Sequence, residues 1–255
     1  MTIVFIGAGN LATCLSQEMQ RAGMTISQVY SRTENSAQLL ANKLNCQWTT
    51  SLSAIRQDAD LYIFSVKDSV LDEVLAQMQP NTGLWVHTAG SIPMEVFARY
   101  TSHYGVFYPL QTFSKGRTVS FENLPILLES STEKDGKLLH NIATALSGNV
   151  QFLSSEKRKH IHLAAVFACN YTNHMYTLAG KIVEEQGISY KILLPLIEET
   201  AAKIQDMPPL LAQTGPAIRY DENVINKQVE LLAHKRWKEI YLLMSQSIHK
   251  EMENE

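Results

Sequence analysis

The sequence predicts an α/β protein, with a doubly wound, mainly parallel sheet over residues 1–153 and an all-helical domain over residues 154–255. Three observations carry this. Apolar strand-like segments alternate with helix-like ones through the first half, the pattern that buries a parallel sheet between two helical layers. A glycine turn, Gly7-Ala8-Gly9, joins the first of these segments to the first helix-like stretch. Beyond about residue 153 the β-branched alternation and turn signals give way to helical periodicity.

Taken in order, the strand-like segments are Ile3–Ile6, Ile26–Tyr30, Leu61–Val66, Leu84–Thr88, Tyr104–Tyr108, Pro125–Leu128 and Val150–Leu153. Each is apolar and bounded by polar or turn residues, as strands buried on both faces are. Helix-like stretches lie near 11–22, 35–44, 69–79, 93–100 and 134–146. In the second half, 156–186, 190–206 and 222–251 read as helices. Leu163, Phe167, Asn170, His174 and Leu178 recur every three or four residues and are expected on one face. Trp237, Tyr241, Met244 and Ile248 repeat the pattern in the last helix.

A chain of 255 residues with 45% hydrophobic and 18% charged residues fits two globular domains. The net charge of −3 gives no electrostatic reason to expect nucleic acid or an anionic membrane as partner. No apolar run is long enough to span a bilayer, and no leader precedes Ile3, so a cytoplasmic protein is expected. Cys14, Cys46 and Cys169 are read as small buried hydrophobes of a reducing compartment. No metal site is expected: Cys and His show no zinc-type spacing, and His160 and His162, two apart on a helix, point to nearly opposite sides.

The glycine turn carries the first functional signal. Gly7-x-Gly9-x-x-Ala12 fits the dinucleotide fingerprint of a Rossmann-type fold. Gly7 would permit the tight turn, Gly9 would admit a diphosphate to the backbone, and Ala12 would keep the helix close to the sheet. Gly7, Ala8, Gly9, Asn10 and Leu11 are the expected diphosphate cradle, the free N–H groups of the helix start facing the phosphates. The alternative is a strand-to-helix turn that binds nothing.

The second strand-like segment ends Ser31-Arg32-Thr33, with no acid to grip a ribose 2′-hydroxyl. A guanidinium between two hydroxyls suits a 2′-phosphate, so NADP(H) is expected over NAD(H). Val66 and Lys67 end the next segment and should border the cofactor, while Asp68 reads first as a helix cap. His87 is either a core histidine or a neighbour of the nicotinamide. Ser91 reads as a pocket hydroxyl or as a helix N-cap ahead of Pro93. Gln111 and Thr112 offer hydrogen bonds to a substrate, whereas Tyr108 and Phe113 read equally as an aromatic seam between domains. Asn170 and His174 are polar groups on an apolar helical face and need partners, either each other or a ligand between the domains. Thr214 or Gly215 would cap a helix begun by Pro216, and Arg219 would either clamp an anionic substrate or stay solvated.

Read together, GAGNLA, VYSRT, HTAGS, YPLQTFS, HLAAVFACNYTNHM and QTGPAIRYD resemble, in that order, bacterial proteins with a Rossmann-like domain followed by the domain of unknown function 2520. The resemblance covers nearly the whole chain and implies an NADP oxidoreductase. Its architecture is similar to pyrroline-5-carboxylate reductase, prephenate dehydrogenase and the β-hydroxyacid dehydrogenases. It also implies a helical domain that helps form a homodimer and closes the substrate cleft. The lysine that β-hydroxyacid dehydrogenases use on the long helix has no counterpart before Lys181, and the histidine of prephenate dehydrogenases is replaced by Tyr108.

The expected activity is NADP(H)-dependent hydride transfer to or from a small carbonyl, imine or hydroxy-acid substrate in the interdomain cleft. His174 is the expected proton donor and Asn170 its orienting partner, with Ser91, Gln111, Thr112 and Arg219 holding the substrate. The alternative is an NADP-binding sensor or scaffold without turnover.

Overall fold

The computed structural model describes residues 1–253 and divides into two compact units, Met1–Phe167 and Ala168–Glu255. The first unit alternates strands and helices: β1 (Thr2–Ile6), α1 (Asn10–Arg21), β2 (Thr25–Tyr30), α2 (Glu34–Leu44), β3 (Gln47–Thr49), β4 (Leu61–Phe64), α3 (Asp68–Gln77), β5 (Leu84–His87), β6 (Tyr104–Pro109), β7 (Ile126–Ser130), α4 (Glu133–Thr144), β8 (Val150–Phe152) and α5 (Ser155–Ala165).

The eight strands form one sheet in the order β3-β2-β1-β4-β5-β6-β7-β8, parallel throughout except for β6 against β7. Strand order reverses between β1 and β4, which places the ligand crevice of such a sheet beyond the carboxyl ends of these two strands. The strands are apolar on both faces because both are covered. In β1, Ile3 and Phe5 join one core cluster with α1 and α2, and Val4 and Ile6 join another with Trp85 and Phe97. A third cluster holds Val106, Tyr108 and Leu127 against Leu153 and Ile161.

The expected strands are all present. The extra one, β3, is three residues at the sheet edge, Gln-Trp-Thr, too short and polar to show a pattern. The expected helix near 93–100 is a single 3-10 turn, Met94–Phe97, whose Phe97 is fully buried against Phe64 and Trp85.

The second unit is helical: α6 (Thr172–Glu184), α7 (Leu194–Asp206), α8 (Pro209–Ala212), α9 (Glu222–Leu231) and α10 (Lys235–Glu253), with a 3-10 turn at Tyr190–Leu193. The long helix read over 156–186 is interrupted at Val166–Tyr171 by a π turn. The wider turn breaks the 3.6-residue count, so the face drawn from Leu163 to Leu178 does not run unbroken through it. The helix read over 222–251 is two helices, because Leu232 turns extended and joins the apolar cavity rather than continuing α9. Trp237, Tyr241, Met244 and Ile248 do share a face, and with Met175, Leu178 and Ile182 they line that 420 Å³ cavity within the second unit. Pro216–Tyr220 is a turn, not the expected helix, and the side chain capping α9 is Asp221, which accepts from Val224 N–H. Among the described residues no helix is long and apolar enough to cross a membrane.

Candidate functional site

The cradle is built by the β1–α1 turn. Gly7 has φ +121°, and a Cβ there would lie 2.2 Å from the Ser65 carbonyl oxygen, so this glycine is required by the fold itself. Gly9 differs. Its φ of −75° suits any residue, and a Cβ would meet no atom within 4 Å. Neither conformation nor packing explains glycine there. The open space lies at the start of α1, where no side chain caps the helix. The first intrahelical bond runs from Thr13 N–H to Gly9 O, which leaves the N–H groups of the first turn free for an anion. Ala12 is fully buried and lets α1 lie close to the sheet. Asn10 does not point freely into the cradle: its Nδ2 donates to Phe113 O and ties the loop after β6 to the glycine turn.

Beyond β2, Ser31 N–H donates to Thr49 O, and Thr33 stands at the N-cap of α2 without a side-chain cap bond. Arg32 is exposed and forms no ion pair among the described residues. The guanidinium and both hydroxyls therefore remain available at the carboxyl end of β2. The donor set fits a dinucleotide carrying a 2′-phosphate: amide N–H groups for the diphosphate, and a cation flanked by hydroxyls for the extra anionic group.

At the ends of β4 and β5 the expected roles shift. Val66 and Lys67 follow β4, with Lys67 itself at the N-cap of α3. Asp68 is not the cap. Its carboxylate accepts from Ser91 Oγ at 2.5 Å, so Ser91 is not a helix cap either, and the two residues link the β4 and β5 loops. His87 is buried: its Nδ1 accepts from Ala89 N–H, and its Nε2 has no partner among the described residues. Burial, reinforced by the Arg158 charge, pushes its pKa down to about 3, so it is a neutral core imidazole near pH 7.

Gln111 and Thr112 are exposed on the loop after β6, where Gln111 Oε1 accepts from Thr112 N–H. In the second unit Asn170 lies in the π turn and His174 in the first turn of α6. Both are exposed, and the expected pairing between them is absent among the described residues. Arg219 is exposed beside Tyr220, whose φ is +46°. Cys14 and Cys46 pack against the core, and burial raises both thiol pKa values, Cys46 to about 11. Cys169 is exposed, contrary to its reading as a buried hydrophobe, because the π turn holding it buries none of its residues.

Sequence reasoning missed a buried polar cluster of the first unit. Arg158 and His162 stand one turn apart on α5. Arg158 is 1% exposed and donates to Glu129 Oε2, to Ser155 Oγ and to Ile92 O. Glu129 also accepts from the Ser155 N–H and hydroxyl. The network clamps α5 to β7 and to the loop after β5. One turn on, the His162 ring lies against Gly90, where a Cβ would come within 2.4 Å of it, and its Nδ1 is 2.9 Å from Tyr108 Oη. The legible signal was Gly90 within HTAGS, a residue without a Cβ just beyond the end of β5.

The geometry agrees with comparison to known proteins. A family model described as NADP oxidoreductase, coenzyme F420-dependent, matches residues 2–86, and one described as a domain of unknown function, DUF2520, matches residues 124–248. Pyrroline-5-carboxylate reductase 3 of Rattus norvegicus is 27% identical over 217 residues, which span 79% of this chain and 76% of that protein. A solved structure of a provisionally named NADP oxidoreductase from Bacteroides fragilis is 49% identical, with a TM-score of 0.93 and 98% of each chain covered. A reductive aminase of Aspergillus terreus, solved in complex with NADPH and ethyl-5-oxohexanoate, shares the fold at 16% identity and a TM-score of 0.72, with 99% of this chain and 94% of that one covered. The chain belongs to the NADP oxidoreductase family in which a Rossmann domain precedes a DUF2520 domain, a family related to the pyrroline-5-carboxylate reductases.

Proposed function

We propose that this protein is an NADP(H)-dependent reductase of a small carbonyl or cyclic imine substrate. The observation that carries the reading is Gly9: a glycine that neither backbone nor packing demands, at an uncapped helix start, leaves the space a diphosphate needs. When bound, the reduced nicotinamide supplies the hydride. Gly7 to Leu11 hold the diphosphate, Ser31, Arg32 and Thr33 hold the 2′-phosphate, and Val66 and Lys67 border the ring end. Ser91, Gln111, Thr112, Asn170, His174 and Arg219 are the candidate groups for the substrate. The relatedness to pyrroline-5-carboxylate reductases favours a cyclic imine over a hydroxy acid.

A homodimer through the helical unit belongs to the same proposal. Over 168–253 only Gly180, Ala217, Ile225 and Ser245 are buried, while Leu196, Leu211, Leu231 and Leu243 are each more than 60% exposed. So little buried apolar surface does not sustain the packing of the five described helices, and a second copy would cover it. Light scattering on the purified chain measures the mass.

The cofactor test is a fluorescence titration with NADPH and NADH. Arg32→Ser is expected to weaken NADPH about tenfold or more and to leave NADH nearly unchanged. Equal loss for both coenzymes would contradict the 2′-phosphate role. Oxidation of NADPH is then followed with 1-pyrroline-5-carboxylate, 1-pyrroline and pyruvate. Tight NADPH binding without oxidation across the panel would favour a sensor instead.

A further inference from the structure

We propose that Tyr108 is the proton donor of the reduction and that His162 is the positioning residue that holds and recharges it. The inference rests on the reductase reading above and replaces His174 in that role.

Four features support it, all within the first unit. Tyr108 stands at the carboxyl end of β6, in the same row of strand ends as the glycine turn and the Asp68–Ser91 link. Its hydroxyl has a defined partner, His162 Nδ1 at 2.9 Å, and the rings meet edge to face. Gly90 provides the slot in which the imidazole lies, since any Cβ there would expel it. The Arg158 clamp, one turn earlier on the same helix, fixes α5 to the loop bearing Gly90 through the Ile92 carbonyl. A pair fixed by a glycine slot and a buried ion pair is more restrained than packing requires. By contrast, His174 is exposed and, among the described residues, has no side-chain partner to orient it or return its proton.

The surroundings keep the phenol protonated. Burial raises the Tyr108 pKa, the Asp68 carboxylate raises it further, and only the Arg158 charge opposes them. The hydroxyl therefore reaches the reaction carrying its proton.

In the reduction, the hydride and its electron pair bond to the carbon of the C=N or C=O group, and the π pair moves onto the heteroatom. The Tyr108 O–H bond breaks, and its proton joins that heteroatom. The proton is replaced through the His162 ring: Nδ1–H gives its proton to the phenolate while Nε2 takes one from solvent, and exchange with solvent returns the ring to its starting tautomer. The reduced nicotinamide is the only reductant required, and the product is an amine or alcohol.

The test uses the full chain and three variants, Tyr108→Phe, His162→Gln and Gly90→Ala, with 1-pyrroline-5-carboxylate as probe. Tyr108→Phe keeps the ring and is expected to cut kcat about a hundredfold or more while the NADPH dissociation constant stays within about twofold. His162→Gln retains a hydrogen bond to the phenol but cannot recharge it, so kcat falls while KM stays within about twofold. Gly90→Ala is expected to act like the histidine variant. Independently of turnover, ring ¹⁵N signals of His162 should shift in Tyr108→Phe and in Gly90→Ala without added cofactor. Wild-type turnover by Tyr108→Phe overturns the donor role and leaves the reductase reading standing. Unchanged His162 ring signals in that variant overturn the pairing. NADPH binding with no turnover of any probe by the wild type refutes the reductase reading and the donor role with it.

Discussion

The two glycines of the β1–α1 turn should fail in opposite ways when each is replaced by alanine. In Gly7→Ala the new Cβ meets the Ser65 carbonyl oxygen at 2.2 Å and its carbon at 2.7 Å, backbone atoms that cannot swing aside, at a φ of +121°. Left-handed strain costs about 1–2 kcal/mol and overpacking about 1–3 kcal/mol, so a loss of roughly 2–5 kcal/mol is expected. At about 2–4 °C per kcal/mol for a chain of this size, the melting midpoint falls by roughly 4–20 °C. In Gly9→Ala the Cβ enters empty space at a φ of −75°. Alanine is a poorer N-cap than glycine, but it also restricts the unfolded chain, and the two effects nearly cancel, leaving a change within about 1 kcal/mol. The same Cβ occupies the approach of the diphosphate, so NADPH affinity should drop about tenfold or more, or about 1.4 kcal/mol per decade. Thermal unfolding without cofactor measures the first quantity and NADPH fluorescence titration the second. A Gly9→Ala protein that binds NADPH like wild type would show that the open space is not a cradle, and the proposed function would lose its main support.

Two further outcomes follow from buried groups. Arg158→Met leaves the partly buried Glu129 without its cation, and breaking such a pair costs up to about 3–5 kcal/mol in urea unfolding. Adding Glu129→Gln should recover part of that loss, and no recovery would mean that Arg158 acts through packing alone. For His87, the folded imidazole titrates near pH 3 against an ordinary value of 6.5. The unfolded chain therefore binds more protons between these values, so stability is full above about pH 6.5 and is lost as pH falls toward 3. His87→Phe should flatten that part of the pH–stability curve, by an amount on the order of several kcal/mol at its acid end. Parallel curves for the two proteins would place the acid sensitivity elsewhere.

The sheet was legible because its strands are buried on both faces and read as continuous apolar runs. β3 was not, since three residues at an edge carry no period. The π turn was invisible because VFACNY carries no glycine, proline or turn signal, and only backbone hydrogen bonding distinguishes it. Asp68 and Ser91 each looked like caps. Capping is a local inference, and these side chains bond across 23 positions of sequence instead. The same limitation hid the Tyr108–His162 pair, which lies 54 positions apart.

Glycines were the one residue type whose long-range meaning lay within reach of the sequence. A glycine whose φ lies outside the left-handed region can mark a place that another group approaches closely. Gly9 and Gly90 both meet that description, and they differ in what fills the space. At Gly90 the occupant is a side chain of the protein itself, the His162 ring, so the residue can be explained from this chain alone. At Gly9 nothing within 4 Å fills the space, and beyond the N-cap preference for glycine the room it leaves suits a group from outside the chain. The first glycine thus argues for a cofactor, and the second for an imidazole held where it can serve one. If both arguments hold, Gly9→Ala should impair NADPH binding while leaving the His162 ring signals in place, and Gly90→Ala should shift those signals while leaving NADPH binding intact. Coupled losses in either variant would mean that the two glycines shape a single loop conformation and not two separate sites.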